Sequence, residues 1–177
     1  MSPWRERLRW LPVVLALATA AQQPAPPDAA GPVEDVVGAV ESLDGTQSEL
    51  QEGRSLTVAL TSDVLFALDE ADLTAGAQAR LQDVAEQIEA RATGGPIRIE
   101  GHTDDQGSEA YNDDLSRRRA EAVRAALAGL LDDHGDRLEA EGHGEREPRV
   151  PNVVDGEPNE ENRARNRRVE IVFDTAP

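Results

Sequence analysis

The sequence predicts a layered α/β domain, of the α+β two-layer kind, over residues 55–177. Two short alternating runs bound it: Leu56, Val58 and Leu60 at its start, and Val169, Ile171 and Phe173 at its end. Their period of two is that of half-buried strands. Between them lie two stripes at helical spacing. Ala77, Leu81, Val84 and Ile88 form one; Leu115, Val123, Leu127, Leu130 and Leu131 form the other. Ile97 and Ile99 mark a strand between these helices, and residues 138–141 mark another after them. The order is therefore strand, helix, strand, helix, strand, helical turn, strand.

Residues 1–21 read as a secretory signal. Arg5, Arg7 and Arg9 make a basic start, an apolar run follows from Trp10 to Ala18, and Ala18-Thr19-Ala20 is a small-x-small cleavage pattern. The run falls short of the ~20 residues of a membrane-spanning helix. Retained, it would be an N-terminal membrane anchor; cleaved, it would release a soluble chain. Either way the rest of the chain is expected outside the cytoplasm. Residues 22–54 read as a linker, rich in Pro, Ala and Gln at its start. Within it, Val33, Val36, Val37, Val40 and Leu43 have the spacing of a short helix, which Gly38 and Gly45 weaken. Thr74 is placed to cap the first domain helix, and Ala92-Thr93-Gly94-Gly95-Pro96 to stop it.

Composition narrows the functional classes. The net charge of the 177-residue chain is −17, and all 18 basic residues are Arg. So acidic a chain suits neither nucleic acid nor anionic lipid. With no Cys, thiolate zinc sites, disulfides and a cysteine nucleophile are excluded, as is a lipid on an N-terminal cysteine.

Residues 97–131 organise the chain. The strand Ile97–Ile99 enters the polar loop Gly101-His102-Thr103-Asp104-Asp105-Gln106-Gly107, and the long helix follows. Arg119 lies four residues after Leu115 and four before Val123, on the apolar stripe. A guanidinium drawn out of water needs paired donors. The nearest foreseeable carboxylate is Asp104. The two form an internal pair pinning loop to helix, or they face a ligand that carries both a carboxylate and an amine.

The run Asn112-x-x-Leu115-Ser116-x-x-Arg119-Ala120-x-x-Val123-x-x-x-Leu127, preceded by Gly101-His102-Thr103-Asp104, Gly107 and Tyr111, resembles the OmpA-like peptidoglycan-binding domain. Gly142-His143-Gly144-Glu145 with Pro148, and Asn166-Arg167-Arg168-Val169-Glu170-Ile171, are similar to the closing motifs of that family in order and spacing. The resemblance covers about residues 56–173. It implies a βαβαββ mixed sheet with its helices packed on one side. It also implies noncatalytic, noncovalent binding of the peptidoglycan stem peptide through diaminopimelate, without cofactor. Asp104 and Arg119 are the central contacts that it implies. Asn112 stands at the rim, or caps the helix. Thr103, Asp69 in the turn before the first helix, and Arg168 complete the expected set. Where the family often carries Lys, this chain has Glu70. The expected location is the periplasm or cell wall, with an outer-membrane association open.

Other chemistries fit less well. An envelope protein–protein module could use the same fold. His102-x-Asp104-Asp105 and His143-x-Glu145 offer zinc-ligand types on two loops, but no complete metal motif is present, and no metal site is expected. Ser116 lies on a helix with no base placed beside it, so it is expected to pack or cap.

Overall fold

The computed structural model describes residues 38–42, 45–131 and 135–176. The expected signal segment 1–21 and the start of the linker lie outside them.

The described chain begins with a hairpin, β1 (Gly38–Glu41) and β2 (Gln47–Glu52). The short helix expected within residues 33–50 is thus replaced, in its described part, by two strands. Of the valines in that spacing, Val40 is described and lies in β1; β2 runs antiparallel to β3 (Ser55–Thr61) over its full length, from Gln47↔Leu60 to Glu52↔Ser55. Gly45 (φ 67°) and Gly53 (φ 57°) supply the left-handed backbone that the two connections need. Of the two glycines that weaken a helix here, Gly38 opens β1 and Gly45 lies in the connection to β2.

After β3 come α1 (Ser62–Leu65), α2 (Ala75–Arg91), β4 (Ile97–His102) and α3 (Glu109–Ala128). A 3-10 turn at Gly135–Arg137 leads into β5 (Leu138–Gly144), a two-strand ribbon β6 (Val153–Val154) and β7 (Glu157–Pro158), then α4 (Glu160–Asn166) and β8 (Arg168–Asp174). Thr74 caps α2 as expected, its Oγ1 accepting from the Ala77 amide at 3.2 Å.

One six-stranded mixed sheet results, in the order β1-β2-β3-β8-β4-β5. β4 and β5 are parallel, joined through α3, whereas β8 inserts between β3 and β4 antiparallel to both. This is the expected mixed α/β architecture. The inner face carries Val58, Leu60, Ile97, Ile99, Val169, Ile171 and Phe173, which merge with Leu81, Val84 and Ile88 of α2 and Val123 and Leu127 of α3 into one core. The strands alternate, so Arg98, Glu100, Arg168 and Glu170 point to the other face.

Two glycines let α3 lie directly on the sheet. A Cβ on Gly101 would sit 2.2 Å from the Ser116 carbonyl oxygen, and one on Gly142 would sit 2.4 Å from the Arg117 amide nitrogen. No side chain fits there, so the helix backbone rests on β4 and β5. Ser116 fastens the contact: its Oγ accepts from the Gly144 amide and donates to the Asp113 carbonyl, both at 3.0 Å. Its role is packing, as its sequence position suggests.

Candidate functional site: a charged cleft at the strand ends

Where β3 and β4 end and β8 begins, three connections converge. Asp63 follows β3, Thr103 and Asp104 follow β4, and Arg167 precedes β8. With Leu68, Asp69, Gln106, Tyr111, Asn112, Leu115, Arg119 and Glu160 they line a cleft of about 160 Å³. Two guanidinium groups therefore stand among four carboxylates, those of Asp63, Asp69, Asp104 and Glu160.

Arg119 is held from two sides. Its Nε donates to the Glu70 carbonyl at 2.9 Å, and its guanidinium lies 5.1 Å from the centroid of the Phe66 ring. Its two Nη groups have no hydrogen-bond partner among the described residues. Burial lowers its pKa, while Asp63 and Asp69 oppose that shift. The Glu70 carbonyl is presented by a tight turn closed by the Glu70 amide on the Ala67 carbonyl (3.1 Å), with Asp69 in the left-handed region (φ 58°). Asp tolerates that conformation better than most residues.

Of the two arrangements expected for Arg119 and Asp104, the internal pair does not form. Asp104 is 5% exposed, and its Oδ2 accepts from Arg167 Nη1 at 2.7 Å while its Oδ1 accepts from the Gln106 amide at 3.0 Å. Arg167 also bonds Glu160 at 3.0 Å. Burial lowers the Arg167 pKa, but the hydrogen bonds to Asp104 and Glu160 outweigh it and raise the value overall.

The structure brings five of the six expected binding residues to this cleft: Asp69, Thr103, Asp104, Asn112 and Arg119. Arg168 goes elsewhere. It lies on the outer face, its Nε 2.5 Å from Glu170 and its Nη2 donating to the Glu147 carbonyl. Arg167 occupies the place in the cleft instead. The signal for this was available: in a strand register with Val169 and Ile171 inward, Arg168 must point outward. Asn112 does not cap α3 either. Ser108 does, its Oγ accepting from the Tyr111 amide at 3.3 Å. Asn112 sits inside the first turn, 2% exposed, and donates to the Asp104 carbonyl (3.3 Å) and to Glu145 (2.6 Å), tying three segments together. Asp113 pairs with Arg146, while Asp114 takes both Arg117 and Arg118.

The zinc-ligand types on the two His-containing loops are not assembled as their sequence order suggests. Asp104 and Glu145 serve the cleft, Asp105 pairs with Arg163 at 2.8 Å, and the His102 and His143 rings stack on each other (centroids 5.1 Å apart).

Comparison with known proteins bears on the fold and the family. The chain is 31% identical over 140 residues to the putative lipoprotein YfiB of Escherichia coli, spanning 78% of this chain and 81% of that protein. Among solved structures it resembles the cell wall anchor of the T6SS from Pseudomonas aeruginosa, with TM-score 0.63, 30% identity and coverage of 74% and 89% of the two chains. It also resembles the peptidoglycan-associated lipoprotein from Burkholderia pseudomallei, with TM-score 0.50, 32% identity and coverage of 68% and 89%. The chain spans 13%, 29% and 55% of the lengths of the first three curated relatives it matches. Outer membrane proteins and a lipoprotein are among these relatives, and the chain is an exported protein of the cell envelope. No helix among the described residues is long and apolar enough to cross a membrane. The OmpA family's sequence model matches residues 65–167, which hold both glycine contacts of α3 and every cleft residue except Asp63, so the chain belongs to the OmpA family.

Proposed function

We propose that the chain binds peptidoglycan noncovalently through this cleft and so tethers the envelope to the wall. One observation carries the reading. Arg119 is anchored through Nε and by Phe66, yet its Nη groups keep their donors free in a cleft that also holds the carboxylates of Asp69 and Asp104. Diaminopimelate ends in one carbon bearing an ammonium and a carboxylate. Arg119 takes the carboxylate through paired N–H donors. Asp104 and Asp69 receive the ammonium. Asp104 retains lone pairs for this after serving Arg167 and Gln106, since a carboxylate offers about four acceptor sites. Thr103 and Asn112 shape the wall of the cleft. Tyr111 and Leu68, at its mouth, contact the rest of the stem peptide. In this reading the cleft holds its ligand and breaks no bond, a noncatalytic tether.

The net charge of −17 opposes an acidic polymer, which confines attraction to this local arrangement. The test is isothermal titration of the full chain with a diaminopimelate-containing muropeptide, with Arg119→Ala as the control. Saturable binding lost in the variant is expected. Absence of binding by the wild type moves the function to a protein partner and leaves Arg119 as a brace for the turn at Glu70.

A further inference from the structure

The outer face of the sheet, away from the cleft, carries an arrangement that wall binding does not use. Glu100 on β4 lies directly opposite Glu170 on β8, and Glu141 on β5 continues the same row. Like charges set opposite one another across strands are destabilising. One rung further, His102 is 1% exposed, and neither ring nitrogen has a hydrogen-bond partner. A buried polar group left so is uncommon and unfavourable. One ligand atom each from Glu100, His102 and Glu170 lie within 4.8 Å of one another.

We infer that Glu100, His102 and Glu170 form a binding site for a divalent transition-metal ion of the zinc type on the outer face of the sheet. An imidazole with two carboxylates is a ligand set that suits zinc. The ion gives the buried imidazole the partner it lacks and takes over the facing carboxylates from their arginines. Zinc bonds of about 2.0–2.2 Å draw the three ligand atoms closer than they stand, a movement that the flexible glutamate side chains supply. Without the ion, Arg98 (3.0 Å) and Arg168 (2.5 Å) hold the two carboxylates. Both can yield them. Arg98 is half exposed, and Arg168 keeps its bonds to the Asn166 and Glu147 carbonyls. The loop carrying Glu147 also reaches His143, with 3.4 Å between Nδ1 and the carboxylate, so the ion would brace this loop through the stacked rings.

Chelator-stripped full-length protein should be titrated with Zn²⁺ alone at neutral pH, against a chromophoric competitor. One saturable ion per chain is expected. The double variant Glu100→Gln/Glu170→Gln, altered at partly exposed side chains, should bind about 10-fold or more weakly. Glu141→Gln, in the same row but outside the cluster, should bind as the wild type does. The His102 ring resonances should shift on Zn²⁺ addition. Wild-type affinity in the double variant, no saturable uptake by the wild type, or unmoved His102 resonances at saturation would each overturn the assignment. Muropeptide titration is a separate readout, and both glutamate variants should retain it.

Discussion

The cleft and the outer face of the sheet share stretches of chain, and neighbouring residues are divided between them. Glu100 and His102 point to the outer face, while Thr103 and Asp104 line the cleft. Arg167 enters the cleft and Arg168 the outer face, one residue apart. His143 stacks outward on His102, and Glu145 reaches Asn112 beside the cleft. The two regions differ in how their charges are satisfied. In the cleft, Arg119 keeps its Nη donors free and faces carboxylates. On the outer face the arginines are used up, and a buried imidazole is left with no partner. The comparison teaches that strand alternation, more than motif membership, assigns a residue to a site. Asn166-Arg167-Arg168 reads as one motif, yet a period of two splits it.

The largest expected effect destroys both regions together. Gly142→Ala pushes α3 off β5, because the new Cβ meets helix backbone rather than a side chain that could rotate. A loss of about 3 kcal/mol or more is expected in urea unfolding, at the severe end for overpacking. A variant of wild-type stability would mean that α3 does not rest on this position.

Next comes the contrast between the adjacent arginines. Arg167→Ala removes the charge-assisted bond that orients Asp104 and should weaken muropeptide binding by about 10-fold, the equivalent of ~1.4 kcal/mol. Arg168→Ala should leave the binding constant of the folded protein unchanged while lowering stability by ~1–3 kcal/mol, since it strips buried carbonyl and carboxylate groups of their partner. Equal binding losses in the two variants would abolish the division drawn here.

A smaller effect tests the helix that serves both regions. Ser108→Ala removes the cap of α3 and should lower stability by ~1 kcal/mol. Asn112→Ala should act differently, weakening binding through Asp104 and Glu145 rather than fraying the helix start. The smallest change is expected from Asp114→Ala. Its pairs with Arg117 and Arg118 are solvent-exposed, and the unfolding midpoint should not move measurably.

Much of the fold was legible because its signals are local. Periods of two and 3.6 residues marked β3, β8, α2 and α3, and Thr74 announced the start of α2. The hairpin of β1 and β2 was not legible. The valine spacing fits a helix, whereas β1 and β2 form by pairing in series onto β3, which no local pattern announces. Arg119 was legible as a buried guanidinium from its place on an apolar stripe. Its partners were not, because the Glu70 carbonyl lies 49 residues away and is aimed by a turn.

By itself the sequence determined the alternation of strands and helices, the acidic and cysteine-free character, and which types of charged residue could meet a zwitterionic ligand. Only the tertiary structure decided that Asp104 pairs with Arg167 rather than Arg119, that Asn112 is a buried tie and not a cap, and that His102 lies with Glu100 and Glu170. The reason is physical. Periodicity and capping depend on neighbours a few residues apart, whereas the partner of a charge depends on which strand ends the sheet brings side by side. Here β8 inserts between β3 and β4, and that long-range pairing sets Arg167 over the cleft and Arg168 behind the sheet.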